Sequence, residues 1–276
     1  RVEAVGVVVG GEEPHQVDDV DDPDPQIGHT LPQEVDGRHR LEGGNVAGAG
    51  HDDVGVLAAV GRRPNPLPRR ANGMMTTFSV FPKFYQHLDP AGLAALVHET
   101  GLDTVNLVVR EGYWITLDNM KSAVPPFMRA MEKAGLRVHF ATAGFSVEQM
   151  RKDDSPLAIL ADHGVTDFRM DYFSVQGGDV RASLEKARSE MGEMAEICAR
   201  RQIRAILQLH HGRLITNSAA AWIVFRDLPA QWVGVEIDPG NQSHEGRENW
   251  SRAAQLLGEY LAAVGIKDTA PVQNPE

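Results

Sequence analysis

An aspartate at the end of a strand-like run is the residue best placed to do chemistry in this chain. Asp238 follows the strand-like stretch 233–237 and stands directly before a Pro-Gly turn signal. Because proline disfavours helix for the preceding residue, the strand must end at Asp238. A carboxylate at a strand end can bind a metal ion or a substrate, and it can also cap a local turn. We favour the functional interpretation, and the turn-forming one stays open.

A second group of candidate residues ends the preceding strand-like run. Gln208, His210 and His211 lie at or just after the end of residues 205–210. Alternation along a strand points Gln208 and His210 to the same side of the sheet. An imidazole can bind a divalent metal ion or transfer a proton near neutral pH. The alternative for either histidine is a loop or helix cap.

Charged side chains stand at the ends of two further strand-like runs. Arg110 and Glu111 follow the second run, and Lys267 ends the seventh. Arginine and lysine can hold substrate oxygens, so we expect these positions to contact a substrate. The alternatives are a structural layer of charges at Arg110 and Glu111 and a surface ion pair at Lys267.

A repeating βα chain has to position these residues. From residue 78 onward, seven strand-like runs alternate with helical patterns. Strict alternation requires right-handed crossovers and a parallel sheet. Since no Gly-x-Gly-x-x-Gly follows the first strand, we predict a (β/α)8 barrel, in which strand carboxyl ends line the active-site mouth. The predicted strands are 78–84, 104–110, 137–143, 167–173, 205–210, 233–238 and 260–267, and the predicted helices are 90–100, 117–134, 146–163, 179–201, 218–228 and 246–257.

The predicted barrel is incomplete, with about seven βα units. Too few residues follow Asp268 for a further helix and an eighth strand. We therefore expect residues 74–276 to form a carboxyl-terminally truncated α/β barrel that lacks its last unit. Its unpaired sheet edge would favour association, so a homo-oligomer is one expected state.

Residues 1–73 differ in composition from the rest of the chain. They contain no Met, Lys, Ser, Cys or aromatic residue, so they cannot supply the large side chains of a packed core. We expect a low-complexity extension that is disordered or irregular, with natural translation starting at Met74 or Met75. A natural disordered tail is the alternative. The run 5–9 is strand-like enough to pair with an open sheet edge.

Charge and composition exclude several classes of function. With 38 acidic and 27 basic residues, the net charge of -11 offers no electrostatic footprint for nucleic acid. The single cysteine, Cys198, excludes a disulfide framework and a cysteine zinc site. No apolar run approaches the roughly 18 residues of a membrane span, and the acidic amino end is unlike a signal peptide. We expect a cytoplasmic protein that acts on a small molecule.

Six motifs together resemble the xylose isomerase-like TIM barrels, a superfamily that includes sugar phosphate isomerases and epimerases. The resemblance spans about residues 75 to 268, with the motifs at 78–84, 101–110, 207–212, 233–241, 245–249 and 266–268. It implies a divalent ion, Mn2+, Mg2+ or Co2+, that polarises a carbonyl group while flanking glutamates transfer a proton. The implied substrate is a small keto sugar, polyol or sugar-like acid, which the enzyme would isomerise, epimerise or dehydrate.

The resemblance also implies roles for single residues. Asp238 matches a metal-binding aspartate of the sixth strand, and His210 and Asn241 match positions near the metal or substrate. Gln208 stands where a glutamate is expected, and a neutral amide is a poorer ligand that cannot act as a base. A non-catalytic sugar-binding barrel with a degenerate metal site is therefore the alternative. The expected roles are metal binding by Asp238 and His210, catalysis by His210 and Lys267, and substrate binding by Arg110, Glu111, Gln208, His211 and Asn241.

Overall fold

The computed structural model describes residues 3–7, 77–245 and 248–266, and these residues form a sheet of eight strands. The strands are β1 (Glu3–Val7), β2 (Thr77–Phe81), β3 (Leu107–Val108), β4 (Phe140–Thr142), β5 (Asp167–Arg169), β6 (Arg204–Gln208), β7 (Val233–Ile237) and β8 (Leu261–Ile266). Strands β3 to β8 are parallel and pair in chain order. A parallel bridge between Val80 and Val105 connects β2 with the segment before β3.

A strand from the amino-terminal segment covers the sheet edge beside β8. β1 pairs antiparallel with β8 on one side and with β2 on the other. The strand was predicted at residues 5–9 and begins two residues earlier. The expectation of an unpaired sheet edge is therefore wrong at β8, because β1 pairs with the backbone groups of that strand. Residues 8–73 of the predicted extension lie outside the described residues.

Helices connect the strands in the predicted order. The predicted helix 146–163 is two helices, because Asp153 has an extended backbone between them. One further short helix, which directly follows Asp238, was not predicted. The helices are α1 (Pro90–Glu99), α2 (Met120–Lys133), α3 (Val147–Lys152), α4 (Ser155–Asp162), α5 (Val180–Arg201), α6 (Ser218–Phe225), α7 (Pro239–Gln242) and α8 (Trp250–Leu257).

Local sequence signals set the helix ends. The Asp89 carboxylate caps α1 by accepting a hydrogen bond from the backbone N–H of Gly92 at 2.7 Å. Ser146 and Gln149 form a reciprocal capping box at the start of α3. Gln202 ends α5 in the left-handed conformation, with φ of 54°. These caps fix where each helix meets its neighbouring strand.

Two apolar clusters hold the sheet. The larger cluster joins the helices to the strand faces that point toward them, and it includes Leu207. Ile206, the adjacent residue on β6, belongs instead to a smaller cluster drawn from the strands. Since successive strand residues face opposite sides, the smaller cluster fills the interior of the barrel. Its buried members are Phe81, Val108, Phe140, Ile206, Ala262 and Ala263.

The prediction of an incomplete (β/α)8 barrel is confirmed. All seven predicted strands occur, although most are shorter than predicted.

Cys198 is buried in α5, and burial raises the pKa of its thiol to about 12. In the described residues, no helix is long and apolar enough to cross a membrane. The polar side chains that could take part in chemistry lie at the carboxyl ends of the strands, beyond the interior apolar cluster.

Candidate functional site

A group of polar side chains occupies the sheet interior at the carboxyl ends of β5, β6 and β7. Gln208 and Glu236 are register partners on adjacent strands, so their side chains share one face of the sheet. Parallel barrels hold their functional residues at this end. We call this group the mouth cluster, and all its members except the half-buried Tyr172 are buried: Arg169, Tyr172, Gln208, Glu236, Asp238 and Asn241.

Gln208 is the centre of the mouth cluster. Its Nε2 donates hydrogen bonds to Oε1 of Glu236 at 3.0 Å and to Oδ2 of Asp238 at 2.6 Å. Its Oε1 accepts a hydrogen bond from the Tyr172 hydroxyl at 2.6 Å. A primary amide has two N–H donors, so both donors of Gln208 are used. The amide thereby holds two buried carboxylates side by side.

Asp238 links the end of β7 to the start of α7. Its Oδ1 accepts a hydrogen bond from the backbone N–H of Asn241 at 2.8 Å, which caps the short helix. Its Oδ2 accepts a second bond from Nδ2 of Asn241 at 2.9 Å, beside the bond from Gln208. The turn-forming interpretation of Asp238 is therefore correct, and it coexists with membership of the mouth cluster.

Arg169 provides the positive charge next to Glu236, which is fully buried. Nη1 of Arg169 lies 3.7 Å from Oε1 of Glu236, which is an ion pair but too long for a hydrogen bond. The guanidinium group also lies 4.9 Å from the centre of the Phe81 ring. Among the described residues, the Arg169 side chain has no hydrogen-bond acceptor. Its N–H groups can therefore donate to a ligand.

Tyr172 stays protonated in this environment. Burial raises the pKa of its phenol, and the charges of Glu236 and Asp238 raise it further. The positive charges of Arg169 and Arg110 act in the opposite direction. The phenol is therefore a neutral hydrogen-bond donor to Gln208 rather than a base.

A cavity of about 380 Å³ opens beside the mouth cluster, at the carboxyl ends of β3, β4 and β5. Its volume falls within the range of about 300–1,000 Å³ typical of small-molecule sites. A smaller cavity of about 240 Å³ shares Met170, Asp171 and Tyr172 with it. The polar side chains that line the larger cavity are Arg110, Glu111, Thr142, Gln149, Arg169, Asp171 and Tyr172.

Thr142 presents an unsatisfied hydroxyl group in the lining of this cavity. The side chain is only 2% exposed, and its Oγ1 has no hydrogen-bond partner among the described residues. Thr142 and Arg169 are register partners on β4 and β5, so both side chains lie on the interior face. A buried polar group without a partner costs about 1–3 kcal/mol. The hydroxyl is therefore a polar group in the cavity wall that the described side chains leave unsatisfied.

Histidine rings extend the site beyond Tyr172. The Tyr172 ring lies 4.9 Å from that of His210, which stacks on His211 at 4.4 Å. The ring of His244 stacks in turn on His211 at 4.3 Å. Nδ1 of His210 lies 2.7 Å from the carbonyl oxygen of His211, and this contact holds the ring in place. The stacked rings offer flat surface for contact with a ligand, and their imidazole groups are able to transfer protons.

The structure brings most of the predicted site residues to one end of the barrel. Gln208, Asp238 and Asn241 contact one another in the mouth cluster, and Arg110 and Glu111 line the larger cavity. Lys267 lies outside the described residues. The catalytic, substrate-binding and metal-binding roles of all these residues remain predictions.

The donor set of the mouth cluster does not fit a divalent metal ion. Asp238 Oδ2 already accepts two N–H groups, and the Gln208 amide fills the space between the two carboxylates. Hard cations need several free oxygen ligands. Within the described ranges, no group of three or more His, Cys, Asp or Glu side chains is arranged to hold a metal.

Sequence reasoning missed several residues of the site. Glu236 could have been found, because it stands two residues before Asp238 and so faces the same side of β7. Tyr172 follows β5 in a loop, where no periodicity sets the side-chain direction. The missed residues are Thr142, Arg169, Tyr172, Glu236 and His244.

Comparisons with known proteins place the fold. A family model described as a xylose isomerase-like TIM barrel matches residues 94–276. In sequence, no curated protein matches the chain significantly.

Three solved structures resemble this chain at low sequence identity. The apo form of 3-keto-D-glucoside 4-epimerase from E. coli has 15% identity and a TM-score of 0.52, covering 66% of this chain and 74% of that one. A putative xylose isomerase from Rhodospirillum rubrum has 18% identity and a TM-score of 0.54, covering 67% and 74%. A probable 3-DHS dehydratase of petrobactin synthesis from Bacillus anthracis has 13% identity and a TM-score of 0.50, covering 67% and 70%. At these identities the likeness shows the fold alone.

Proposed function

This chain belongs to the xylose isomerase-like TIM barrel family, and on that premise we propose that it is a sugar isomerase or epimerase. Its substrate would be a small keto sugar, polyol or sugar-like acid bound in the cavity beside the mouth cluster. Two of the structural neighbours, an epimerase and a putative isomerase, agree with this class of activity.

The observation that carries the proposal is the paired presence of Thr142 and Arg169 in the wall of the cavity. Among the described residues, the buried Thr142 hydroxyl has no hydrogen-bond partner, and the Arg169 guanidinium forms an ion pair with Glu236 at 3.7 Å but has no hydrogen-bond acceptor. A sugar supplies hydroxyl and carbonyl oxygens that can satisfy both residues.

We propose roles in binding and proton transfer for residues of the cavity lining and for residues near it in the fold or the sequence. Arg169 would donate hydrogen bonds to the carbonyl oxygen of the substrate and stabilise the charge that develops there. His210, next to Tyr172, would move the proton between adjacent carbons. Arg110 and Glu111 would hold substrate hydroxyl groups at the cavity entrance. Lys267, His211 and Asn241 are proposed to bind or orient the substrate.

A non-catalytic sugar-binding barrel is the second candidate. Gln208 favours it, because a neutral amide cannot take up a proton and both its N–H groups are committed to carboxylates. In this case the cavity would bind the same class of molecule without converting it.

Deuterium exchange separates the two candidates. The full chain is incubated in D2O with a panel of ketoses, polyols and keto acids, and NMR follows deuterium at the carbon next to the carbonyl group. We expect exchange with at least one ketose, reduced by about 100-fold or more in His210→Gln because general acid–base catalysis is lost. The matched control is His98→Gln, whose exposed ring contacts the carbonyl oxygen of Ala134 on the helical side.

The outcomes distinguish an enzyme from a binding protein. Ligand binding by saturation-transfer NMR without exchange would establish the non-catalytic barrel. Neither binding nor exchange with any member of the panel would contradict both candidates.

A further inference from the structure

The mouth cluster has a feature that the family resemblance does not lead one to expect. We propose that the carboxamide of Gln208 takes the place of a divalent cation between Glu236 and Asp238, so that this site works without a metal ion. This inference is independent of which molecule the cavity binds.

The geometry of the Gln208 amide supports this substitution. One nitrogen bridges two carboxylate oxygens, at 3.0 Å from Glu236 and 2.6 Å from Asp238. A bridging cation would have to occupy this same space. The orientation of the amide follows from the charges, because rotating it by half a turn would direct its carbonyl oxygen at two carboxylates. The observed orientation instead gives that oxygen the Tyr172 hydroxyl as a donor.

The surrounding residues supply part of the neutralisation that a metal ion would otherwise provide. Arg169 lies 3.7 Å from Glu236 and brings a full positive charge. Asn241 donates to both oxygens of Asp238, once from its backbone and once from its side chain. Buried carboxylates are stable only when donors or opposite charges compensate them. Here the chain's own groups donate to both oxygens of Asp238 and to Oε1 of Glu236.

Strand β8 closes the remaining approach with backbone rather than with a ligand. A Cβ atom placed on Gly265 would lie 3.1 Å from Oε1 of Glu236 and 3.2 Å from Oδ2 of Asp238. The missing side chain lets the two carboxylates lie against the strand. It also means that β8 supplies no metal-binding side chain at this position.

A metal ion would therefore have to break an existing set of hydrogen bonds. It would displace the Gln208 amide from both carboxylates and compete with Asn241 for Asp238. In return Gln208 could offer only a neutral oxygen that already accepts from Tyr172. The chemistry of the donors, rather than their number alone, thus points to a metal-independent site.

Metal binding to the full chain tests the proposal directly. The protein is stripped with a chelator, dialysed against Mn2+ or Co2+, and the bound metal is counted by inductively coupled plasma mass spectrometry. We expect well below one ion per chain, and the same value for Asp238→Asn. One ion per chain that Asp238→Asn removes would overturn the proposal, whatever the protein binds or catalyses.

Two substitutions of Gln208 show whether the amide replaces a cation. Gln208→Glu places a third carboxylate beside Glu236 and Asp238, so we expect saturating Mn2+ to raise its melting temperature by about 5–10 °C. Gln208→Met has a similar length but neither charge nor N–H groups, and its melting temperature should not respond to Mn2+. A Gln208→Glu variant that folds only with Mn2+ supports the proposal equally. A folded Gln208→Glu that ignores Mn2+ would contradict it.

Discussion

Buried polar residues at the two ends of the barrel are satisfied in different ways. At the amino ends of the strands, the buried Asp167 on β5 and the half-buried Arg204 on β6 are register partners. Asp167 accepts a 2.7 Å hydrogen bond from the Thr166 hydroxyl, and Arg204 donates to the carbonyl oxygens of Val233 at 3.3 Å and Glu259 at 3.1 Å. Burial raises the pKa of Asp167 and lowers that of Arg204, and the charge of each opposes the shift of the other. Asp167 and Arg204 are therefore satisfied by a neighbouring residue in the sequence and by backbone carbonyl groups.

At the carboxyl ends, polar side chains bond mainly to other side chains. Gln208 connects Tyr172, Glu236 and Asp238, and the adjacent cavity keeps the hydroxyl of Thr142 unpaired among described residues. An unpaired hydroxyl group destabilises a barrel interior, whereas in a binding site it can form a hydrogen bond with a ligand. The comparison supports the proposal that the amino end stabilises the barrel and the carboxyl end binds a ligand.

Loss of the Gln208 amide should have the largest effect on stability. Gln208→Leu removes three buried hydrogen bonds, two of them to carboxylates, so we expect a loss of about 3 kcal/mol or more in the free energy of unfolding. Tyr172→Phe removes only one of these bonds and should cost about 1 kcal/mol. Urea denaturation measures both values. Equal losses for the two variants would show that Gln208 does not organise the cluster.

Added methyl groups should be tolerated less well at the amino end than at the carboxyl end. A Cβ atom on Gly234 would lie 2.8 Å from Cβ of Ala262 and 2.8 Å from a guanidinium nitrogen of Arg204, so Gly234→Ala should cost about 2–3 kcal/mol. Gly265→Ala meets the carboxylates of the mouth cluster at 3.1–3.2 Å and should cost about 1–2 kcal/mol.

Gly192→Ala is the matched control for these two glycine substitutions, and it should raise the free energy of unfolding rather than lower it. On α5, a Cβ atom at Gly192 would have only a methyl group of Leu228 nearby, at 3.9 Å. Gly192→Ala should therefore stabilise the protein by about 0.5–1 kcal/mol, because alanine favours the helix. Thermal and urea unfolding of the three variants measure these changes in stability. A larger loss for Gly265→Ala than for Gly234→Ala would contradict the comparison between the two ends of the barrel.

The sequence predicted the fold better than the site. Alternating apolar runs and caps such as Asp89 were sufficient for the order of strands and helices, because those signals are local. The antiparallel pairing of β1 with β8 depends on contacts between distant parts of the chain, and alternation alone could not supply it. Asp238 and Gln208 were identified from strand ends. Their mutual hydrogen bond, and the unsatisfied Thr142, depend on how neighbouring strands align.

The most direct test of the account compares two threonines, one at each end of the barrel. Thr142→Val and Thr166→Val both exchange a hydroxyl for a methyl group of similar shape. Thr166→Val removes a donor from buried Asp167 and should cost about 1–2 kcal/mol without changing ligand binding. Thr142→Val should change the free energy of unfolding by less than about 0.5 kcal/mol, since no bond among described residues is lost.

Ligand binding by these two variants decides the central claim. Saturation-transfer NMR with the ketose, polyol and keto acid panel should show weaker binding, by about 5- to 10-fold, for Thr142→Val alone, because one hydrogen bond to the ligand is lost. The account predicts that stability is lost at the amino end and affinity at the carboxyl end. Unchanged affinity in Thr142→Val, or weakened affinity in Thr166→Val, would contradict it.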